Sequence, residues 1–400
     1  MSVRQPAALA AGPPSIPHHS FRTSPKFTEK ISLIDRCSPE VAMLTTLPSD
    51  SIFAAITHQS CCLTHPLLPL LAVSTRSDLL WSIALCAVVS LATGLLTGPL
   101  VIRWLRRNFQ ERIHSDSTQL NTLHAGKSGT PTMGGILILF AFICGLLVIP
   151  GRPLPAAPGL LCIGTALTFG ALGAIDDLIK ARTHKKGLTV RQKLCSQIVL
   201  AGIISIGIHY ARPVPDSPPD QTADAVSSLL LFVPWSTIVL VAMSNAVNLT
   251  DGLDGLAAGC LTTAAAALAW ILAGHTETQA LALPAAALAG STLSFLGFNR
   301  YPARVFMGDT GALASGALLA TIALLGNREL LLPICGSVFL IETISVIAQV
   351  VWFRRTKTRL LLCSPLHNHF VFRKVPEPTI VYCFWAVSCI SAVIASIYFG

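Results

Sequence analysis

Charged residues are scarce in this chain of 400 residues: only 12% are Asp, Glu, Lys or Arg, against about a quarter in soluble globular domains. Apolar residues make up 52% of the chain, and the mean hydropathy is +0.65. So apolar a composition argues against both a disordered protein and a soluble enzyme. The chain is predicted to be a polytopic membrane protein.

Patterns of metal-binding or disulfide-forming cysteines are also lacking, although the chain has twelve cysteines. No Cys-x-x-Cys pair occurs, and most of the cysteines lie inside apolar runs. We interpret them as small hydrophobic side chains, which excludes a disulfide framework and a zinc site from the prediction.

Long apolar runs are what the sequence has in abundance. A helix needs about 20 mainly apolar residues to cross a bilayer, and ten runs satisfy that requirement. They lack the alternation of apolar and polar residues that membrane β-strands show, so the predicted fold class is all-α with about ten transmembrane helices. The predicted spans are residues 79–102, 132–150, 158–175, 194–210, 228–247, 255–274, 278–297, 310–326, 330–352 and 379–399.

Basic residues are distributed unevenly among the connections between these spans. The loops after the first, third, fifth, seventh and ninth spans hold nineteen Lys and Arg residues, whereas the four opposite loops hold three. Because positively charged loops stay in the cytoplasm, we predict that the odd-numbered loops are cytoplasmic and that the C-terminus lies outside. This distribution indicates membrane topology and no nucleic-acid partner.

The first 78 residues do not fit this plan. They are rich in Pro, Ser and Thr, and the first acidic residue is Glu29, a composition compatible with an organellar transit peptide. We favour a disordered extension or a misassigned start codon. The predicted division is an N-terminal extension at 1–78 and a ten-helix membrane domain at 79–400.

Five clusters of polar residues fall in the loops predicted to be cytoplasmic, and the opposite side has no cluster of similar density. Ionisable residues within or beside a membrane are costly, and they indicate function by default. We therefore expect one cytoplasm-facing active-site cleft. The clusters are His124–Gly135, Asp176–Lys180, Asn245–Leu256, Asn299–Gly311 and Ser364–Phe370.

Asp176 and Asp177 end the third predicted span, where the helix dipole and their mutual repulsion disfavour two carboxylates. One interpretation is a solvated helix end beside Lys180. The functional interpretation pairs the carboxylates with a divalent cation or a cationic neighbour. Because adjacent helical residues point about 100° apart, each carboxylate can have its own role.

Three further aspartates precede apolar runs. Ordinary local structure can explain an aspartate at each of these positions as well as a functional role can. Asp254 and Asp309 can be N-caps of the next helices, and Asp251 can belong to a turn. However, helix N-termini also bind phosphate, and Mg²⁺ bridges one or two carboxylates to substrate phosphates. Three asparagines lie at the same predicted depth in the membrane as these aspartates and offer neutral hydrogen-bonding groups: Asn245, Asn248 and Asn299.

Some basic residues of these loops are candidates for binding phosphate as well as for setting topology. They are Lys127, Lys180 and Lys193. His367 and His369 are two residues apart and would not share a helical face, but they can converge from a loop.

The motifs resemble those of the phospho-N-acetylmuramoyl-pentapeptide-transferase family, which belongs to the polyprenyl-phosphate N-acetylhexosamine-1-phosphate transferases. The resemblance covers about residues 79–400, and residues 127–135, 245–256 and 306–309 carry it. It implies ten transmembrane helices in the bacterial cytoplasmic membrane, and transfer of phospho-MurNAc-pentapeptide from UDP to undecaprenyl phosphate with release of UMP. It is compatible with a homodimer.

The resemblance also implies a role for each candidate residue. It makes Asp309 a Mg²⁺ ligand and Asp176 a base toward the lipid phosphate. It assigns Asp177 and Asp251 to catalysis or metal support, and it makes His367 a catalytic candidate. The candidates for substrate binding are Lys127, Thr132, Lys180, Lys193, Asn245, Asn248, Asp254, Asn299 and His369.

One loop departs from the family pattern of three consecutive histidines followed by Phe-Glu. Here the segment reads His367-Asn368-His369-Phe370-Val371. Asn368 can donate and accept hydrogen bonds, but it cannot take up a proton in the working pH range. The change is tolerable if this position only orients sugar or phosphate.

Three alternatives are weighed against this interpretation. A sibling transferase would use UDP-GlcNAc as the donor substrate. A secondary transporter is a second alternative, because acids near the membrane midplane often serve ion transport; however, the chain shows no convincing internal repeat. A catalytically inactive lipid-binding relative is the third, and it is disfavoured because all five candidate aspartates are present.

Overall fold

The computed structural model describes five stretches of the chain, and the regular structure in them is helical. The predicted extension at 1–78 lies almost entirely outside them, because the first described helix begins at Arg76; the candidate residue Lys127 also lies outside. The described residues are 76–109, 129–148, 156–183, 187–212 and 222–400.

The described part of the chain contains twelve α-helices and two short 3₁₀ segments, Gln279–Leu281 and Glu329–Leu331. The α-helices are α1 Arg76–Asn108, α2 Gly135–Leu147, α3 Ala156–Arg182, α4 Val190–Ala211, α5 Thr222–Thr250, α6 Leu256–Ala273, α7 Ala282–Asn299, α8 Gly308–Leu325, α9 Leu332–Cys335, α10 Ser337–Thr356, α11 Leu366–Phe372 and α12 Glu377–Phe399.

Among the helices described, nine are long and apolar enough to cross a membrane by length and composition: all except α2, α9 and α11. The helix α2, which corresponds to the second predicted span, has 13 residues. Helices therefore occur at all ten predicted positions, and the prediction of an all-α polytopic membrane protein is confirmed.

Two helices differ from the predicted spans. The span predicted at 330–352 is not one helix, because the chain leaves helical geometry at Gly336, which has φ −102° and ψ 31°; glycine tolerates such an interruption at little steric cost. In addition, α3 continues to Arg182. Asp176 and Asp177 therefore lie more than one turn before the end of the helix.

The helix α8 occupies the centre of the bundle. It packs against α3 and α5, and nearly all of its residues are buried. Its sequence alternates small and branched residues, which allows neighbouring helices to approach closely. The outer helices α1, α4, α10 and α12 instead expose large apolar side chains, such as Trp81 and Ile203, as expected of faces that contact lipid.

Two glycines bring neighbouring helices against the first turn of α8. A β-carbon at Gly173 of α3 would overlap the backbone carbonyl of Asp309, and one at Gly135 of α2 would overlap the backbone of Gly311. Because glycine has no side chain, α2 and α3 reach the backbone at the start of α8. The N-terminus of α8 is thereby enclosed by polar residues from other elements.

Candidate active site

Five ionisable side chains meet where the last turns of α3 approach the first turns of α4 and α8. The three carboxylates are buried, with 2% of Asp176, 3% of Asp177 and 7% of Asp309 exposed. Two ammonium groups lie among them, so the group has one more carboxylate than ammonium. We call this group the charged cluster: Asp176, Asp177, Lys180, Lys193 and Asp309.

Asp177 caps α8 from a different helix. Its Oδ1 accepts a hydrogen bond from the backbone N–H of Asp309 at 3.0 Å, and its Oδ2 accepts from the N–H and hydroxyl of Thr310 at 2.9 and 2.7 Å. The first N–H groups of a helix have no partner within it, and the helix dipole favours an anion there. Asp177 therefore fixes the start of α8 against α3.

Asp176 faces a different set of partners. Its Oδ1 accepts a hydrogen bond from the backbone N–H of Leu188, and its Oδ2 lies 2.7 Å from Lys180 Nζ. Gly187 lies in the left-handed region at φ +96°, and a β-carbon there would overlap Asp176. The two adjacent aspartates thus have separate partners, as the sequence predicts. A solvated helix end is excluded because both are buried.

Asp309 is the centre of the cluster. Its Oδ2 lies 2.8 Å from Lys180 Nζ and 2.6 Å from Lys193 Nζ, while its Oδ1 accepts a hydrogen bond from Asn248 Nδ2 at 2.6 Å. The expectation that Asp309 caps α8 is wrong, because its side chain binds lysines and an amide while Asp177 caps the helix. Asp309 still lies in the first turn, where the helix dipole stabilises it.

The helix α5 contributes two asparagines with different functions. Asn248 contacts the cluster, because its Oδ1 also lies 3.5 Å from Lys193 Nζ. Asn245 instead exchanges hydrogen bonds with the side-chain amide of Gln197 in α4, at 2.8 and 3.4 Å. Asn245 therefore holds α5 against α4, and α4 presents Lys193 to the cluster.

The oxygen atoms of the cluster suit a hard cation. Around Lys193 Nζ lie Asp309 Oδ2 at 2.6 Å, Asn248 Oδ1 at 3.5 Å and Asp176 Oδ2 at 3.9 Å. Within the described stretches no group of three or more His, Cys, Asp or Glu side chains is arranged to hold a metal. Mg²⁺ binds through one or two carboxylates together with substrate phosphates, so this donor set fits such an ion.

The segment that contains Thr132 runs along the connection that precedes α8. Phe306 N–H donates to the carbonyl of Pro131 at 2.8 Å, and Gly134 N–H donates to that of Phe306 at 2.8 Å. Thr132 is buried, and a β-carbon at Gly308 would approach both Thr132 Oγ1 and Asp177. Thr132 therefore lies beside the charged cluster.

Asp254 and Asn299 form a second polar region, at the start of α6. Asn299 Oδ1 accepts from the N–H of Gly255 at 3.0 Å, and its Nδ2 donates to the carbonyl of Val305 at 2.9 Å. Asp254 Oδ2 accepts from Ala303 N–H at 2.9 Å. We call Asp254 and Asn299 the backbone staple, since each holds the connection between α7 and α8. Gly255 and not Asp254 occupies the N-cap position of α6, contrary to expectation.

The two candidate histidines do not converge. His367 is buried beside Glu342 of α10, whereas His369 Nδ1 accepts a hydrogen bond from the N–H of Leu362 at 3.1 Å. Asp251 lies in the turn after α5, and the next residue, Gly252, packs against the His367 ring. His367 is therefore the histidine that lies next to a candidate aspartate.

Comparisons with known proteins identify the family. The model of glycosyl transferase family 4 matches residues 160–327, and phospho-N-acetylmuramoyl-pentapeptide-transferase signature 1 matches residues 127–139. A phospho-N-acetylmuramoyl-pentapeptide-transferase of Heliobacterium modesticaldum is 43% identical over 319 residues, which are 76% of this chain and 94% of the relative. Proteins of the same name from Desulforudis audaxviator and Bacillus subtilis are each 40% identical, over 78% and 75% of this chain and 96% and 93% of their own lengths. The chain belongs to the phospho-N-acetylmuramoyl-pentapeptide-transferase family.

The matched regions are those that build the charged cluster. The family model covers α3, α4 and α8, which supply all five of its side chains. The described part of the signature includes Thr132 and the glycines that follow it, and it lies against residues 306–307. The resemblance drawn from sequence motifs is confirmed.

Sequence reasoning missed three residues that organise the site: Thr310, Gln197 and Glu342. Thr310 and Gln197 gave no signal, because a threonine in a first helical turn and a glutamine in a basic helix are common. Glu342 did give one, since it is the one acidic residue inside the predicted span 330–352. An isolated intramembrane carboxylate indicates function by default.

Proposed function

We propose that the chain transfers phospho-MurNAc-pentapeptide from UDP-MurNAc-pentapeptide to undecaprenyl phosphate, giving lipid I and UMP. The observation that carries this proposal is the contact of Lys180 and Lys193 with one oxygen of Asp309 at the start of α8. The relatives are named for this transferase, and the cluster provides the charges that such a reaction needs.

The reaction brings a phosphate nucleophile to a pyrophosphate, and both are anions. Two ammonium groups, held against buried carboxylates, offset that repulsion and stabilise the charge that develops on the leaving phosphate. Lys180 and Lys193 are held in place by carboxylates, so little reorganisation is needed when the substrate binds. Since both contact Asp309, a change at this one residue would displace both.

The same oxygen atoms support a Mg²⁺ cofactor. Asp309 would hold the ion, with Asn248 as a further oxygen donor, and Asp251 is the remaining candidate ligand. When bound, Mg²⁺ offsets the pyrophosphate charge and stabilises the departing UMP. The ammonium groups of Lys180 and Lys193 can then pair with substrate phosphates in place of Asp309.

Asp176 is the candidate base toward the lipid phosphate. Asp177 accepts three hydrogen bonds from the start of α8, so its part in the reaction is to hold that helix end in place. Asp176 Oδ2 is bound by a lysine side chain, which can exchange partners more readily than a helix backbone. Direct attack by the lipid phosphate requires no covalent enzyme intermediate.

The remaining assignments concern the surroundings of the cluster. We assign the active site to the cytoplasmic face of the bacterial inner membrane and the C-terminus to the outside, on the basis of loop charge. A homodimer is the proposed assembly. The candidates for binding the nucleotide, sugar or lipid phosphate are Lys127, Thr132, Asn248 and His369, with His367 and Asp251 beside the catalytic groups. Asn245, Asp254 and Asn299, also candidates from the sequence, hold the surrounding elements in place.

Release of UMP tests this function directly. The detergent-purified protein is incubated with Mg²⁺ and undecaprenyl phosphate, and UDP-MurNAc-pentapeptide and UDP-GlcNAc are supplied in parallel. We expect release only with the muramoyl pentapeptide, and loss of release when the divalent cation is chelated. Release only with UDP-GlcNAc would assign the chain to the sibling reaction, and release that persists in a chelator would contradict the metal assignment.

A further inference from the structure

A second buried ionisable pair lies in the described part of the chain, outside the charged cluster. Glu342 of α10 is fully buried, and only 1% of His367 of α11 is exposed. A carboxylate inside a membrane protein costs several kcal/mol unless it has partners. The partners of Glu342 therefore indicate what the residue does.

Glu342 contacts both the backbone and the ring of His367. Its Oε1 accepts a hydrogen bond from the backbone N–H of His367 at 3.1 Å. The same oxygen lies 3.3 Å from Nδ1 of the ring, in contact but outside hydrogen-bond geometry. One carboxylate thus determines both where His367 lies and which ring nitrogen faces α10.

The other ring nitrogen, Nε2, faces the turn that contains Asp251. It is buried and has no hydrogen-bond partner among the described residues, and a β-carbon at Gly252 would overlap it. A buried polar atom without a hydrogen-bond partner destabilises the protein. A substrate group that donates a hydrogen bond at this turn would remove that cost.

We propose that Glu342 is a positioning residue for His367 in the transfer reaction, an inference that rests on the proposed function. A carboxylate beside Nδ1 keeps the ring proton on that nitrogen, as the outer partners of functional histidines do. Nε2 then presents its lone pair toward the turn that contains Asp251. Glu342 acts through His367 and does not touch the reacting atoms.

The substitution Glu342→Gln tests this role because it keeps the size of the side chain and an oxygen for the backbone N–H, but removes the charge. We expect kcat for UMP release to fall about 10- to 100-fold while KM for the nucleotide substrate changes less than about threefold. A kcat within about twofold of the wild type would overturn the inference.

A double-mutant cycle separates positioning from a general structural effect. In a His367→Gln background, Glu342→Gln is expected to change kcat by less than about twofold, because its effect is transmitted through His367. Losses that multiply in the double variant would show that Glu342 acts elsewhere. If Glu342→Gln cannot be purified folded, Glu342→Asp is measured in the same cycle, with the same criterion.

Gln349 provides a matched control. Its Oε1 accepts a hydrogen bond from the N–H of Leu361 at 2.8 Å, so it also fastens the segment after α10, but through a different residue. Gln349→Leu is expected to leave kcat within about threefold of the wild type. An equal loss in both variants would mean that Glu342 merely anchors the segment.

Failure of this inference can be distinguished from failure of the proposed function. A wild-type protein that is folded but releases no UMP from UDP-MurNAc-pentapeptide would refute the proposed function. An active wild type with an equally active Glu342→Gln variant would refute only the role of Glu342.

Discussion

The charged cluster and the backbone staple lie on either side of the connection between α7 and α8, yet they use their polar groups differently. In the charged cluster, Lys180 and Lys193 bind the side chain of Asp309. In the backbone staple, Asp254 and Asn299 bind the N–H and C=O groups of the main chain. Asn299 and Asp309 belong to the same sequence cluster, yet Asn299 binds the main chain whereas Asp309 binds lysine side chains.

This difference in partners determines which of the two regions can take part in catalysis. Ion pairs between side chains can exchange for substrate phosphates without any change in the backbone. A side chain that satisfies buried backbone groups cannot leave without exposing them, at a cost of about 1–3 kcal/mol each. We therefore expect substitutions of Lys180, Lys193 and Asp309 to lower turnover and those in the backbone staple to lower stability.

The largest effect is expected for Asp309→Ala. The substitution removes the carboxylate that Lys180 and Lys193 share, so each ammonium group loses a close anionic partner. We expect kcat for UMP release to fall by about 100- to 1000-fold, with a protein that still elutes as a single folded species in detergent. Turnover within tenfold of the wild type would exclude Asp309 from the site.

Lys193→Met should have the next largest effect. Methionine keeps the length of the side chain but removes the charge, and a hydrogen bond to a charged group is worth about 1.5–3 kcal/mol. We expect kcat/KM for the nucleotide substrate to fall about 10- to 100-fold. Arg182→Met removes an exposed charge from the end of α3, on the same predicted cytoplasmic side, and serves as the control. Equal losses in both variants would indicate a topological effect.

Asn299→Ala tests the other side of the comparison. It removes both hydrogen bonds that join Gly255 and Val305 through this side chain, and we expect about 2 kcal/mol or more of lost stability. The measurements are thermal unfolding in detergent and kcat, which should change less than about tenfold. A large fall in kcat at unchanged stability would place Asn299 in the substrate site.

The smallest effect is expected for Asn368→His, which restores the family residue. The backbone N–H of Asn368 donates a hydrogen bond to the carbonyl of Pro365, the residue that precedes α11. The side chain of Asn368 is half-buried. We expect UMP release to stay within about tenfold, well below the 100-fold or more that a proton-transferring group contributes. A greater loss would show that this loop is built around the amide.

Much of the fold could be predicted from the sequence, because length and hydropathy determine whether a helix can cross a membrane. The interruption at Gly336 could not, since one glycine within an apolar run is compatible with a continuous helix. The predicted boundary at 175 failed for a related reason: Asp177 is polar, but α3 continues through it because its carboxylate is satisfied by the backbone of α8.

The sequence predicted which residues form the candidate site better than it predicted the contacts between them. Sequence reasoning selected Asp176, Asp177 and Asp309, but not which of them caps α8, because that assignment depends on a contact between residues 132 positions apart. His367 and His369 both lie in α11, so their two-residue spacing separates them as the sequence predicts for a helix, although a converging loop was the alternative. The contact of His367 with Glu342, 25 residues earlier in the chain, could not be predicted.

The cap that Asp177 provides to α8 also constrains how the protein is made. A chain is synthesised from its N-terminus, so α3 exists well before α8 does. During that interval Asp177 lacks its native donors, and Asp309 has not yet been made to pair with Lys180. The nascent third helix therefore has to keep its acidic end in water or with a chaperone until α5 and α8 have been inserted. Completion of the site is thus coupled to the late stage of membrane insertion.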